Sequence, residues 1–208
     1  AAQKHTGKAI QPQATVTYGT QVLKPGTDYT VSYKNNVNPG IAQMTVTGKG
    51  SYMGTLSGSF TIVAAKGKTY QAGNAYYKVT NASTKSGTVT FVRPDKKTYK
   101  TYSVPSTVKI GRYSYKVTEI GKSSFKSNKK LEKVTIGSNV KKINSYAFYN
   151  AKKLKTVVIK SKVLKSVGKS AFKNIYKKAT VKVPSKKLKN YKKLLKGKGL
   201  SSKARIKK

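Results

Sequence analysis

"KKINSYAFYNAKKLKTVVI" (residues 141–159) sets apolar residues at fixed places, Ile143, Phe148, Leu154, Val157 and Ile159, and fills most of the gaps with lysine. The same places recur on either side. Ile120, Ile143 and Val167 are spaced by 23 and 24 residues, as are Phe125, Phe148 and Phe172, then Val134, Val157 and Val181, then Ile136, Ile159 and Val183. Four apolar columns in one register, with one short strand per unit ("KVTI", "TVVI", "TVKV"), mark a repeat solenoid. A unit this small cannot bury its own apolar edge, so neighbouring units stack and share a core. Leu131 and Leu154 follow the pattern but Lys178 takes their place in the third unit, so the core is expected to narrow towards an end.

The flanks of the repeats read as caps. Upstream, "AYYKVT", "GTVTFVRP" and "YKTYSVPSTVKIGRYSYKVTEI" are β-rich and full of Tyr, Val and Thr. They are assigned to an N-terminal cap over 66–116, with the repeats over 117–184. Downstream, over 185–208, Ser185 is a candidate helix N-cap, and Leu188, Tyr191, Leu194 and Leu195 fall at helical spacing. Gly197 is a natural stop, and Ala204 and Ile206 fit a last strand.

Residues 1–65 have a different character. "ATVTY", "DYTVSY", "AQMTVTG" and "GSFTIV" are short β-formers, separated by "KPGTD", "NNVNPG" and "GKGSYMG", whose Gly, Pro and Asn supply turns. Strands this short and regular favour a small β-sandwich, and "AAKGKTYQAG" (64–73) is the expected boundary.

Two family resemblances follow from these motifs. "IGKSSFKSNKKLEKVTIGSNVKKINSYAFYNAKKLKTVVI" resembles the BspA-like, or treponemal, leucine-rich repeat, whose hallmark is an "AF" pair before "L-x-x-V-x-I". Ala147–Phe148 and Ala171–Phe172 match that pair, and Ser124–Phe125 departs from it mildly. The resemblance covers roughly residues 75–208 and implies a leucine-rich-repeat solenoid, secreted or surface-attached, often adhesive, in a group not known for catalysis. "PGTDYTVSY" and "GKGSYMG", within residues 6–62, resemble an immunoglobulin-like module of large surface proteins of Gram-positive gut bacteria. That resemblance implies an immunoglobulin-like β-sandwich serving as a spacer or stalk. The fold class expected for the whole is therefore mainly β.

The charge is the second message. The 208 residues carry 45 Lys plus Arg against Asp28, Asp95, Glu119 and Glu132, a net charge of +41. Residues 1–65 hold a net +4 and residues 66–208 a net +37. Lys130, Lys153 and Lys177 align in one column of the repeat. On adjacent strands about 4.8 Å apart, such charges repel by roughly 0.8 kcal/mol each in water, less once long stems and salt act. Each pair is tolerable, and for one lysine a solvated surface explains enough. A field of this size, however, concentrates anionic polymers and binds them by releasing counterions. The partners expected are teichoic acids, acidic or sulfated host glycans, or nucleic acid. Forty-two lysines against Arg93, Arg112 and Arg205 argue against bidentate reading of bases or phosphates, although tyrosines could stack on bases. A host surface protein meeting the concave strand face is the alternative partner. That face would present Thr135, Val158 and Lys182, with Lys133, Thr156 and Thr180 beside them.

Most reactive chemistry has no material here. With no cysteine, one histidine (His5) and four scattered acids, hydrolytic triads and His/Cys metal sites are nearly excluded. Thus no enzyme, cofactor or metal is expected. His5 is expected to be solvated near a frayed terminus, Asp28 to cap amides in its turn, and Glu119 and Glu132 to pair with lysines. "GKGSYMG" lacks the Gly-Lys-Ser/Thr end of a phosphate loop. An isopeptide bond would join a lysine to Asn or Asp beside a buried acid, and in the first module only Asp28 could serve. No apolar run approaches the roughly 18 residues of a membrane span, and "AAQKHTGK" holds no signal-peptide core. The expectation is a monomeric, extracellular or surface-held piece of a larger secreted protein, kept on an acidic wall by charge.

Overall fold

The structure, a computed structural model, describes residues 2–208. The chain divides into two units, Ala1–Ala65 with Ile110–Tyr113, and Lys66–Lys109 with Ser114–Lys208.

In the first unit the strands are β1 (Ala2–Lys4), β2 (Thr17–Tyr18), β3 (Gln21–Val22), β4 (Tyr29–Lys34), β5 (Gly40–Gly48) and β6 (Thr55–Val63). They form a four-stranded sheet in the order β1-β6-β5-β4 and a separate β2–β3 hairpin. Alternation in β4 turns Tyr29, Val31 and Tyr33 to one face. Tyr29 joins Leu23 and Val46 in one buried cluster. Ala42, Phe60 and Ile62 form a second cluster, against which Tyr33 packs. The Tyr29 hydroxyl donates to Ala14 O at 3.0 Å and that of Tyr33 to Pro12 O at 2.5 Å, which ties the extended segment 12–16 to the sheet. Asp28 caps its turn as expected, accepting from Lys24 N at 2.7 Å. His5 departs from expectation: its amide donates to Val63 O at 2.9 Å and the residue is half-buried, because the first strand is held parallel to β6.

The second unit opens with an antiparallel meander, β7 (Thr69–Ala72), β8 (Ala75–Asn81) and β9 (Thr88–Pro94). β10 (Thr101–Val104), β11 (Thr107–Ile110) and β12 (Tyr113–Ile120) follow, and the repeats then contribute β13 (Lys133–Ile136), β14 (Lys142–Ile143), β15 (Thr156–Ile159), β16 (Ser166–Val167) and β17 (Thr180–Lys182). After these come α1 (Leu188–Leu195) and β18 (Arg205–Lys207). Two sheets result. The main one is parallel, in the order β10-β13-β15-β17-β18. The other continues the meander through β12 into the two-residue strands β14 and β16. The repeats thus form a β-solenoid, each giving one strand to either sheet.

The columns read from the sequence fill its interior. Val134, Val157 and Val181 face inward from the main sheet, Ile120, Ile143 and Val167 from the second, and all are buried. Phe125, Phe148 and Phe172 stack with centroids 5.2 Å apart and planes 9° and 8° from parallel. Phe91, from the N-terminal cap, extends the stack by another 5.2 Å step. The turns are paired as well. Phe125 N donates to Ala147 O and Phe148 N to Ala171 O, while Phe172 N, which has no following repeat, donates to Lys198 O at 3.0 Å. The bend residues recur too: Ser123, Tyr146 and Ser170, and likewise Ser127, Asn150 and Asn174, have positive φ of 54–60°.

At the C-terminal end one expectation is corrected. Ser185 does not cap the helix. It opens a 3-10 turn over Ser185–Lys187 without any side-chain capping bond, and Lys187 occupies the helix N-cap. Pro184, extended at ψ 134°, sets this course, since its carbonyl accepts from Lys187 N at 2.8 Å and closes the tighter turn first. Gly197 lies just past the helix C-cap, Lys196, with φ +72°. Tyr191 and Leu195 are buried, and the Tyr191 hydroxyl donates to Ser161 O and accepts from Leu164 N, both at 3.0 Å.

Candidate functional site

Parallel register fixes which side chains share the outward face of the main sheet. One row runs Thr101, Lys133, Thr156, Thr180, Arg205, and the next Ser103, Thr135, Val158, Lys182, Lys207. Every candidate face residue therefore lies on one ladder: Lys133 and Lys182 are exposed, and Thr135, Thr156, Val158 and Thr180 half-exposed. Lys130, Lys153 and Lys177 each precede a strand by the same interval and are exposed. The face is graded. Its β10 end offers hydroxyls, while its β18 end offers Lys182, Arg205 and Lys207.

Sequence reasoning missed Arg205 and Lys207, because β18 joins the sheet without belonging to the repeat. It also missed a groove of about 690 Å³ lined by Lys152, Asn174, Ile175, Tyr176, Lys177, Lys178 and Lys203. The repeat itself carried a signal. Counting back 24 and 47 residues from Tyr176 gives Lys152 and Lys129, and the same steps from Lys178 give Leu154 and Leu131. The last repeat thus puts an aromatic where its fellows have lysine, and lysine where they have leucine. Tyr176 is 40% exposed. Lys203 is carried on a turn in which Lys203 N donates to Ser201 Oγ and Ala204 N to Ser201 O.

Compensating acid is scarce. From Lys133 to Lys208 the sequence holds 24 lysines, one arginine and no Asp or Glu. Among the described residues one ion pair forms, Lys155 Nζ to Glu132 Oε2 at 3.8 Å, with both side chains well exposed, a geometry worth little. Glu119, expected to pair with lysine, instead accepts from Asn144 Nδ2 at 2.8 Å, because the Asn144 amide reaches it from the neighbouring repeat. A second basic groove, about 480 Å³, includes Arg93, Lys97, Lys122 and Lys126. There the Arg93 guanidinium lies 3.8 Å over the Tyr76 ring and covers that face. The first unit has an apolar cleft of about 800 Å³, edged by Tyr18, Tyr52, Met53 and Leu56.

Three phenols of the N-terminal cap, Tyr77, Tyr99 and Tyr102, are held in the protonated form. Burial pushes Tyr77 up to about 12. Tyr102, which donates to Asn74 O, is raised as well, by burial first and by its phenol neighbours and Asp95 after that. Tyr99 is raised by its hydrogen bond to Asp95. Among the described residues no three His, Cys, Asp or Glu could hold a metal ion together. No helix is long and apolar enough to cross a membrane.

Comparison with known proteins agrees with this geometry. Residues 99–199 match a family described as BspA type leucine rich repeat region, in six copies, so the solenoid is of leucine-rich-repeat type. A leucine-rich cell surface protein of Faecalibacterium prausnitzii aligns at 22% identity over 69% of this chain and 44% of its own, with a TM-score of 0.48. A leucine-rich repeat protein of Bacteroides capillosus aligns at 19% over 67% of this chain and 98% of its own (TM-score 0.49). One from Bacteroides ovatus aligns at 24% over 55% and 36% (TM-score 0.43). The chain thus spans less than half the length of the first and third of these. No curated protein matches it.

Proposed function

We propose that this chain is a non-catalytic, extracellular binding module of a bacterial surface protein, whose lysine-rich solenoid holds anionic polymers of the cell wall or of host glycans. The observation that carries this reading is the run from Lys133 to Lys208, 25 cations with no acid among them. Such a surface gains affinity by counterion release, and its lysines suit diffuse attraction better than bidentate recognition. The leucine-rich-repeat match supports a binding or adhesion role. We read residues 1–65 as the immunoglobulin-like spacer and 66–208 as the binding domain. The antiparallel β4-β5-β6 core of the first unit's sheet and the division of the chain near Ala65 support that assignment.

The test is binding of the whole chain to purified wall teichoic acid, a sulfated glycan and duplex DNA across a salt series. An ionic contact of six charges or more predicts an affinity loss of roughly 10³-fold between 50 and 200 mM salt. No binding to any polymer at physiological salt defeats the proposal. A strong preference for DNA favours a nucleic-acid-binding protein instead. Adhesion to a protein is the second reading, favoured by the neutral stretch Thr135, Val158, Thr156 and Thr180 on one face. It predicts binding that survives high salt.

A further inference from the structure

We infer that the groove around Tyr176 is a defined site for an anionic saccharide, a sugar bearing sulfate or carboxylate. The inference deepens the polyanion reading and rests on it. Lys152, Lys177, Lys178 and Lys203 line the groove, and no carboxylate is among its lining residues. Tyr176 stands half out of the surface in the same groove as these lysines, where its ring can meet the apolar face of a sugar while the ammonium groups meet its anionic substituents. The groove combines these two kinds of contact, and a bare polyphosphate can use only one of them.

Its position argues against chance. The last repeat of a solenoid departs from the pattern in order to cap, and that accounts for the loss of leucine at Lys178, since no following repeat needs the column. It does not account for an exposed tyrosine at a place where the earlier repeats carry Lys129 and Lys152. The walls are held by backbone bonds rather than by free loops. Ala179 N donates to Tyr176 O, Asn150 N to Lys173 O, and Arg205 N to Ala179 O, which places the Lys203 turn beside the last repeat. Gly199 packs so tightly on Lys173 that a Cβ there would lie 2.6 Å from its amide nitrogen. The other basic groove has matching charge, but the aromatic among its lining residues, Phe125, is buried in the core stack, and the nearby Tyr76 ring is covered by Arg93, so it serves as the control.

The experiment is calorimetric titration of the whole chain with a fully sulfated hexasaccharide and with inorganic polyphosphate of equal charge, at about 0.15 M salt, where charges beyond ~8 Å are screened. The expected result for Lys152→Gln/Lys203→Gln is a roughly tenfold weaker hold on the saccharide, the scale of two charge-assisted contacts. Lys97→Gln/Lys122→Gln, with the same loss of charge, should change it less than about twofold. Tyr176→Ala should weaken the saccharide about fivefold and leave polyphosphate unchanged, while Tyr176→Phe keeps the ring and the affinity. Equal weakening by both lysine pairs overturns the groove and leaves the diffuse polyanion reading standing. A Tyr176→Ala variant that affects both probes alike, or neither, also overturns it. Failure of the unaltered chain to bind either probe overturns both.

Discussion

Phe148→Ala removes the middle ring of the stack and tests whether the solenoid is held by coupling between repeats. Phe148 is fully buried and meets Phe125 on one side and Phe172 on the other, each at 5.2 Å. Truncating a buried Phe costs about 3–5 kcal/mol, and each stacked pair contributes about 0.5–1.5 kcal/mol beyond burial. With two pairs lost, the expected cost lies at the top of that range, about 4–5 kcal/mol. Phe172→Ala loses one pair and should cost about 1 kcal/mol less. With a urea m-value of about 2 kcal/mol per molar, Phe148→Ala lowers the unfolding midpoint by roughly 2 M. The assay is equilibrium urea unfolding followed by circular dichroism and tyrosine fluorescence, which must coincide before free energies are read. Double-mutant cycles complete it. Phe125 and Phe172, separated by a ring, should be additive within about 0.5 kcal/mol, while Phe148 and Phe172 should couple by about 0.5–1.5 kcal/mol. A midpoint shift below about 0.5 M, corresponding to ~1 kcal/mol, or a larger cost at Phe172 than at Phe148, refutes the reasoning.

Other consequences are open to measurement. Ser170 sits at φ +54°, so Ser170→Gly should stabilise by about 0.5–1 kcal/mol and raise Tm by a few degrees; a fall in Tm contradicts the assignment. Tyr191→Phe leaves Ser161 O and Leu164 N without the hydroxyl they share, at a cost of about 1–3 kcal/mol, and hydrogen exchange should speed up at the Leu164 amide before it does in β13. Tyr77 is raised from 10.0 to about 12, so the unfolded state loses its phenolic proton first and the folded state is undermined as pH rises from 10 towards 12. The stability difference between the natural chain and Tyr77→Phe, in which lysine titration cancels, should be flat below pH 10 and shift in favour of the variant above it. A flat difference throughout would mean that the phenol ionises equally well in both states.

The repeats were legible because each apolar column keeps one kind of side chain, phenylalanine in one and β-branched Val or Ile in the others, every 23 or 24 positions, which only stacking explains. Phe91 was not legible. It lies 34 residues before Phe125 and extends the same stack, and Tyr102 pairs with Val134 at an offset of 32; the cap shares the geometry of the repeats without their spacing. The bends at Ser123, Tyr146 and Ser170 also recur at 23 and 24, but Ser and Tyr are not residues from which a positive φ is read, and neighbour bonds rather than propensity hold them there. Ser185 misled because a good N-cap residue stood after a proline whose carbonyl was already committed to a tighter turn. The groove was hidden for a related reason. The change from leucine to Lys178 reads from the sequence only as a narrowing core, and the change from lysine to Tyr176 lies outside every apolar column.

β18 leaves the main sheet with its backbone groups open on one side, and an open parallel strand is a template on which another chain can grow. Here the template is three residues long, and Arg205 and Lys207, both exposed, flank its one half-buried side chain. A second copy pairing its own β18 with this one would bring cation against cation at strand spacing, and Lys182 one strand in would add to the repulsion. The charge proposed to hold polyanions thus also discourages pairing through this edge. Neutralising it, by a bound polymer or by lysine acetylation, removes that protection and favours pairing of two copies through this edge.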